Sequence, residues 1–224
     1  MLLDVQELLN LVPSCCNIGF ADIGSYTEEE QSRLFEVLGT AKAVIVVGHH
    51  IKESLEWSWF RFEAERNNNT CAADLHIKGV MEKVSQRLEL EGYKSIILPY
   101  PGRCGMLFKN LAAKTGMGQV GDSFLFLHPL WGPWIHLRVL VTEAEISVLN
   151  NSLDKDICIH CGRCISSCPG NAIGYGTFDG NKCNEAQAEE AKKLSVEGYI
   201  FKCEKCARVC PVGNIPQEVV IHKK

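Results

Sequence analysis

The sequence predicts an α+β chain, with an α/β domain over residues 1–152 and a small cysteine-dense domain over 153–224. Three observations predict it. Ala43 to Val47 (AVIVV) is an unbroken apolar run of β-branched type, the mark of a buried strand. Ile77, Met81, Val84 and Leu88 recur at helical spacing. Eight of the twelve cysteines fall after residue 157.

The elements follow in order. Leu2, Leu3, Leu8, Leu9 and Val12 give a short amphipathic helix stopped near Pro13. Thr27 and Glu30 form a capping box ahead of Leu34, Phe35 and Leu38, and Gly39 suits the helix end. After the AVIVV strand, Asn67 to Asn69 read as a surface loop. A helix runs from Ala72 to Glu91 and stops at Gly92. Ser95 to Leu98 is a strand ended by Pro99 and Pro101, and Leu107 to Lys114 a helix ending at Gly116. Phe124 to Leu127 is a short strand. Ile135, Leu137, Val139 and Val141 alternate with their neighbours, which predicts a half-buried antiparallel strand. Polar residues from Asn150 to Asp156 mark the boundary.

The cysteines carry the chemistry. Cys158, Cys161, Cys164 and Cys168 stand at C-x-x-C-x-x-C-x-x-x-C, closed by Pro169. In a bacterial ferredoxin run of this kind, three thiolates hold one 4Fe–4S cube and the fourth crosses to another. A second run, Cys203, Cys206 and Cys210, closes with Pro211, but Ile200 stands where a fourth cysteine would be. Cys183 supplies the missing ligand. The expected sets are Cys158, Cys161, Cys164 and Cys210 for one cluster, and Cys168, Cys183, Cys203 and Cys206 for the other. Zinc and disulfides are the competing readings. Structural zinc uses separated C-x-x-C pairs without the x-x-x-C-P ending, and disulfide frameworks suit short secreted chains. Cys15, Cys16 and Cys71 have no ligand spacing and read as core.

Composition sets bounds. With 224 residues, 46% hydrophobic, there is enough chain for one compact domain and a small module. A net charge of −4 without a basic run argues against a large nucleic-acid surface. No apolar run reaches membrane-span length and no export signal precedes the first helix, so the expectation is a cytoplasmic protein with reduced thiols.

Several stretches together resemble the epoxyqueuosine reductase family and, more distantly, the reductive dehalogenases. They are the double-cluster cysteine order with Cys183 in FDGNKCNEAQ and the run KCEKCARVCPVGN, the segment NLAAKTGMGQVGDSFLF from Asn110 to Phe126, and the strand WIHLRVLVTEAEI. NIGFADIG and AKAVIVVGHH are weaker echoes. The resemblance implies a nitroreductase-like α/β domain that binds cobalamin, wired to a ferredoxin-like domain with two 4Fe–4S clusters. Gly116, Gly118, Gly121 and Ser123 are its candidate cofactor contacts; helix capping and turn formation explain the glycines equally. The sequence departs from the family. No acidic residue lies between Lys94 and Gln119 to match the catalytic aspartate, and Asp122 replaces the lysine of the family's Trp-Ile-Gly-Lys. The helical-repeat extension of the tRNA enzymes is missing after Lys224.

Tyr100, Arg103 and Cys104 are the catalytic candidates, as proton donor, anion binder and nucleophile; packing or exposure is the simpler reading of each. His49, His50, His128 and the Trp131–Trp134 loop read either as structural or as parts of a cofactor wall. His160, inside the cluster loop, modulates a potential or is simply exposed. The leading function is a cobalamin-dependent iron–sulfur reductase. The alternatives are an electron-transfer protein that reduces a partner such as a corrinoid protein, and, with less weight, reduction of epoxyqueuosine in tRNA. Expected partners are a redox donor protein and a small-molecule substrate or corrinoid protein, with nucleic acid and membrane disfavoured.

Overall fold

The structure is a computed structural model and describes residues 5–63, 68–100, 105–146, 156–194 and 199–213. It divides into two compact units that interleave along the chain. The first comprises residues 1–49, 76–119 and 137–156; the second comprises 50–75, 120–136 and 157–224. The two-domain division read at 152/153 is contiguous in sequence. The units differ from it because residues 59–61 pair with 199–201, and Gly121 and Gly132 lie against Cys158 and Val212.

In the first unit, α1 (Val5–Asn10) leads to β1 (Cys16–Asp22), α2 (Glu28–Val37) and β2 (Ala43–His50). α4 (Ala72–Leu90), β5 (Ser95–Ile97), α5 (Phe108–Ala113) and β8 (Ile135–Thr142) follow, after two further strands and a short helix given below. The sheet order is β1-β2-β8-β5, with β1 antiparallel to β2 and β5 antiparallel to β8. Thr27 caps α2 as the sequence predicts: its hydroxyl accepts from Glu30 N, and the Glu30 carboxylate accepts from Thr27 N. Ile77, Val80, Met81, Val84 and Leu88 of α4 form one buried cluster with Ala43, Ile45 and Val47 of β2, Ile18 of β1 and Leu140 of β8. Each large side chain fully removed from water contributes roughly 1.5–3 kcal/mol, so this helix–sheet seam is the main stabilising feature of the unit. Tyr26 donates its buried hydroxyl to Leu111 O at 3.1 Å, tying the loop before α2 to α5.

β8 departs from its half-buried reading. Seven of its eight residues are buried, because both faces are covered. Its polar His136 is tolerated there through a 2.9 Å bond to Asp74, itself buried.

In the second unit, α3 (Ser54–Trp57) precedes β3 (Trp59–Glu63) and β4 (Asn68–Cys71). Asn68 and Asn69, read as loop, are strand residues paired with Glu63 and Phe62, so backbone pairing overrides their turn preference. Farther on come β6 (Gln119–Val120) and β7 (Phe126–Leu127), then α6 (Arg163–Ser166), β9 (Ile173–Gly174), β10 (Thr177–Phe178), α7 (Gly180–Lys193), β11 (Tyr199–Phe201) and α8 (Lys205–Arg208). β11 adds to β3, giving the order β11-β3-β4. Phe124, counted with the strand by sequence, is instead a turn residue at φ 59°. Ile51, Cys71, Ala73, Trp134 and Ala207 make the buried core of this unit. No helix among the described residues is long and apolar enough to cross a membrane.

Candidate metal centre

The cysteine runs are shaped by backbone that few residues adopt. His160 and Gly162 both have positive φ, 52° and 70°, so the chain coils between Cys158 and the short helix α6, which carries Cys164. Gly170 follows Cys168-Pro169 where a Cβ would stand 2.7 Å from Lys182 O and 2.8 Å from Ala186 Cβ. Only glycine lets this loop lie against α7, and α7 carries Cys183. Asp179 caps α7, accepting from Asn181 N and Lys182 N at 3.0 and 3.1 Å. The second run is fixed through Glu204, a buried carboxylate that accepts from the Ser58 hydroxyl and the Arg208 guanidinium. The guanidinium also lies 5.9 Å from the Trp134 ring. Lys202 N donates to Ser58 O at 2.7 Å, and α6 packs against α8.

These supports bring the thiols into two groups. Cys158, Cys161, Cys164 and Cys210 line one pocket with Asp122, Leu127, Gly162 and Val212. Burial pushes the Cys210 thiol up, and the neighbouring Cys161 and Cys158 add to it, against an opposing bond from Val212 N–H. In the second group, burial raises Cys203, with Cys183 and Cys168 among its neighbours. Burial likewise pushes Cys206 up to about 12, followed by Cys203, Cys183, Cys168 and lastly Cys164. Mutual repulsion of this kind is relieved when the sulfurs surround a cationic metal. Ala172 N–H donates to Cys168 Sγ at 3.3 Å and the Gln187 amide to Cys183 Sγ at 3.4 Å. Such donors tune a cluster's potential. The donor set, with its four soft sulfurs per group, fits a cubane cluster.

The other sequence candidates have local roles. Gly116 ends the α5 segment at φ 74°. Gly118 is buried. At Gly121 a Cβ would stand 2.5 Å from Leu127 Cδ1 and 3.4 Å from Cys158 Sγ, so the glycine admits the cysteine loop. Ser123 Oγ accepts from Leu125 N at 3.3 Å. Tyr100 packs in the first unit, its ring 6.3 Å from Phe108 and under the Arg138 guanidinium at 5.4 Å. Arg103 and Cys104 lie outside the described residues. Cys71 is in the core of the second unit. His160 Nδ1 bonds both carboxylate oxygens of Asp122 at 3.0 and 3.1 Å, beside Cys158. The sequence singles out both residues but not the pair, because the coil at His160 that aims the ring is invisible to spacing.

His50, Trp131 and His128 form a stack, with centroids 4.9 and 4.1 Å apart, and Trp134 is fully buried. His128 Nδ1 accepts from Leu130 N and Trp131 N, which requires a neutral ring. Burial, and then the nearby His50, lower its pKa to about 4. The unfolded imidazole takes a proton near 6.5 and the folded one does not, so this group's stability is present above that value and is lost as pH falls toward about 4. The expected loss approaches ~3 kcal/mol. Thermal unfolding between pH 7 and pH 4.5 checks it; His128→Gln should show a shallower acid decline.

Comparison with known proteins agrees with this geometry. Residues 157–213 match the family described as a 4Fe-4S double cluster binding domain. The chain is 28% identical over 159 residues to an epoxyqueuosine reductase of Aliivibrio fischeri, covering 66% of this chain and 41% of that protein. Over that stretch this chain is similar to the epoxyqueuosine reductases. The Cyclobacterium marinum epoxyqueuosine reductase is 33% identical over 108 residues, 45% of this chain and 34% of that one. In both, the match spans less than half of the relative's length. Among solved structures, the epoxyqueuosine reductase of Streptococcus thermophilus superposes with a TM-score of 0.69 at 20% identity, over 97% of this chain and 68% of that one. A catabolic reductive dehalogenase gives 0.60 at 17% identity, over 89% and 30%. The fold is thus the mixed α+β fold of these structures, with a 4Fe-4S double cluster binding domain over residues 157–213.

Proposed function

We propose that this chain relays electrons through two 4Fe–4S clusters, one held by Cys158, Cys161, Cys164 and Cys210 and the other by Cys168, Cys183, Cys203 and Cys206. The observation that carries it is the division of the eight thiols into two groups, each drawing on both cysteine runs. Crossed ligation keeps two cubes adjacent, as a short electron path requires. A reducing cytoplasm suits this many thiols, and a redox donor protein is the partner the relay needs.

A second reading is cobalamin-dependent reduction, with a ferredoxin-like domain serving an α/β cofactor domain. It is favoured by the fold likeness to a reductive dehalogenase of B12-dependent dehalogenation, with a TM-score of 0.56 over 87% of this chain. Gly116, Gly118, Gly121 and Ser123 do not by themselves build a corrinoid cradle: a turn, packing and a local hydrogen bond account for Gly116, Gly121 and Ser123, and Gly118 is buried. The expectation against a nucleic-acid partner is weakened by a solved epoxyqueuosine reductase bound to a modified tRNA stem loop, TM-score 0.66 at 14% identity, so tRNA stands as a candidate substrate.

Anaerobic reconstitution with iron and sulfide, followed by cobalamin titration, separates these readings. About eight irons per chain with bound, base-off cobalamin supports a corrinoid reductase. About eight irons without cobalamin leaves the relay to a partner; fewer than about four overturns it. Conversion of epoxyqueuosine in a tRNA stem loop would establish the third. Gln187→Leu adds a finer test. Its amide stabilises the more negative, reduced state at Cys183, so its loss should lower one cluster's potential by roughly 20–60 mV, read by a redox titration followed by electron paramagnetic resonance.

A further inference from the structure

Away from the cluster cysteines, the first unit gathers three more ligating side chains. Cys16 opens β1 and stands directly opposite His49 of β2 in the strand register. Its sulfur lies 3.6 Å from His49 Nδ1 and 4.0 Å from Cys15 Sγ. Adjacent residues in a regular strand point to opposite faces. Cys15 escapes that rule because it precedes the strand, in a turn closed by Cys16 N donating to Pro13 O at 2.8 Å. The three ligand atoms all lie within 4.8 Å of one another.

We propose that Cys15, Cys16 and His49 form a binding site for a divalent cation of the zinc class, distinct from the two cluster sites. The spacing carries the assignment. A tetrahedral ion with Zn–S of about 2.3 Å and Zn–N of about 2.0–2.1 Å sets its sulfurs about 3.8 Å apart and sulfur to nitrogen about 3.6 Å apart. The observed 4.0 and 3.6 Å are near those edges before any ion is added. Two sulfurs and an imidazole nitrogen select a borderline or soft ion over magnesium or calcium. Both cysteines carry free thiols, about twice a disulfide bond length apart. The ion displaces two thiol protons, one from each cysteine, and takes the neutral imidazole through Nδ1. His49 is buried and His76 sets its ring edge-on at 5.3 Å, which limits reorientation of the imidazole. Three protein ligands leave the fourth corner to water or a small ligand, the arrangement of an open rather than a closed zinc site.

The test uses the full chain with its clusters first filled anaerobically, so that iron occupies the eight cluster thiols. Cobalt(II) is then titrated as a spectroscopic stand-in for zinc. One equivalent should bind, with thiolate-to-cobalt charge-transfer absorption and the intense visible bands of a tetrahedral site, and zinc should bleach both. Cys15→Ser/Cys16→Ser should abolish the signal with iron content unchanged. His49→Gln, which keeps both thiols, should weaken cobalt binding by more than about a hundredfold, beyond the cost of losing an outer-sphere partner. Cys15→Ser alone guards against misfolding, since it alters only a turn residue; it should unfold at the wild-type temperature and still lose tight binding. Absence of the band in the wild-type chain, or its persistence at equal strength in the double variant, overturns the site. Failure of the cluster assignment shows separately, as a low iron count before any cobalt is added.

Discussion

Replacing Cys183 by serine should halve the bound iron, from about eight atoms per chain to about four, with acid-labile sulfide falling in step. Cys183 is the ligand that neither cysteine run contains. It sits on α7, one turn inside the Asp179 cap, where the Cys168 loop approaches through Gly170. Cys203 and Cys206 both lie close enough to raise their thiol pKa values in its presence. A serine oxygen is a harder and far weaker ligand for a cubane iron, and α7 offers no other sulfur. The cluster held by Cys158, Cys161, Cys164 and Cys210 shares none of these ligands and should survive, with its visible absorption near half of the wild-type amplitude. An iron count unchanged at about eight would mean that another thiol completes the set and that the crossed assignment is wrong. Cys71 is a poor substitute, being enclosed in the core with Ile51 and Trp134.

The parts of this molecule that repeat locally are the parts legible in its sequence. The AVIVV strand, the Ile77–Leu88 stripe and the Thr27–Glu30 box each depend on residues within a few positions, and all three appear where they are read. The double-cluster domain is legible for the same reason, because seven of its eight cysteines sit at fixed short spacings. What spacing does not encode is pairing at a distance. β3 and β11 are more than 130 residues apart, and nothing local in Trp59–Glu63 announces that Tyr199–Phe201 will add to it. The interleaving of the units follows from that pairing. The same holds for the site. Cys16 and His49 meet only because β1 and β2 are in a given register, and His160 reaches Asp122 only because its backbone adopts positive φ. Glu204 reads as an ordinary surface acid within KCEKC; burial between Ser58 and Arg208 makes it a scaffold residue, and no sequence signal marks the change.

Gly132→Ala should be the most destabilising single methyl in the second unit, and its first casualty should be the cluster that Cys183→Ser spares. Gly132 has φ 57°, and a Cβ there would stand 1.8 Å from Val212 O and 2.6 Å from Val212 C. The obstruction is backbone, so no side-chain rotation relieves it. Gly213 faces the same contact from the other side, its Cβ position 2.3 Å from Trp131 C. The turn cannot retreat easily either, because Gly132 and His128 exchange backbone bonds at 2.8 and 2.9 Å. The chain that must give way is therefore Val212–Gly213, two residues beyond Cys210. Left-handed backbone alone costs a non-glycine residue about 1–2 kcal/mol, and overpacking adds about 1–3 kcal/mol, for a total near 3 kcal/mol or above. Gly176→Ala separates the two costs. Gly176 has φ 70° with nothing within 4 Å of its Cβ position, so that variant should lose only the backbone share, about 1–2 kcal/mol, and keep about eight irons. Gly132→Ala should retain about four, with Cys210 displaced from its three partners. Equal unfolding midpoints and equal iron in the two alanine variants would show that the Trp131 turn does not hold the Cys210 loop in place.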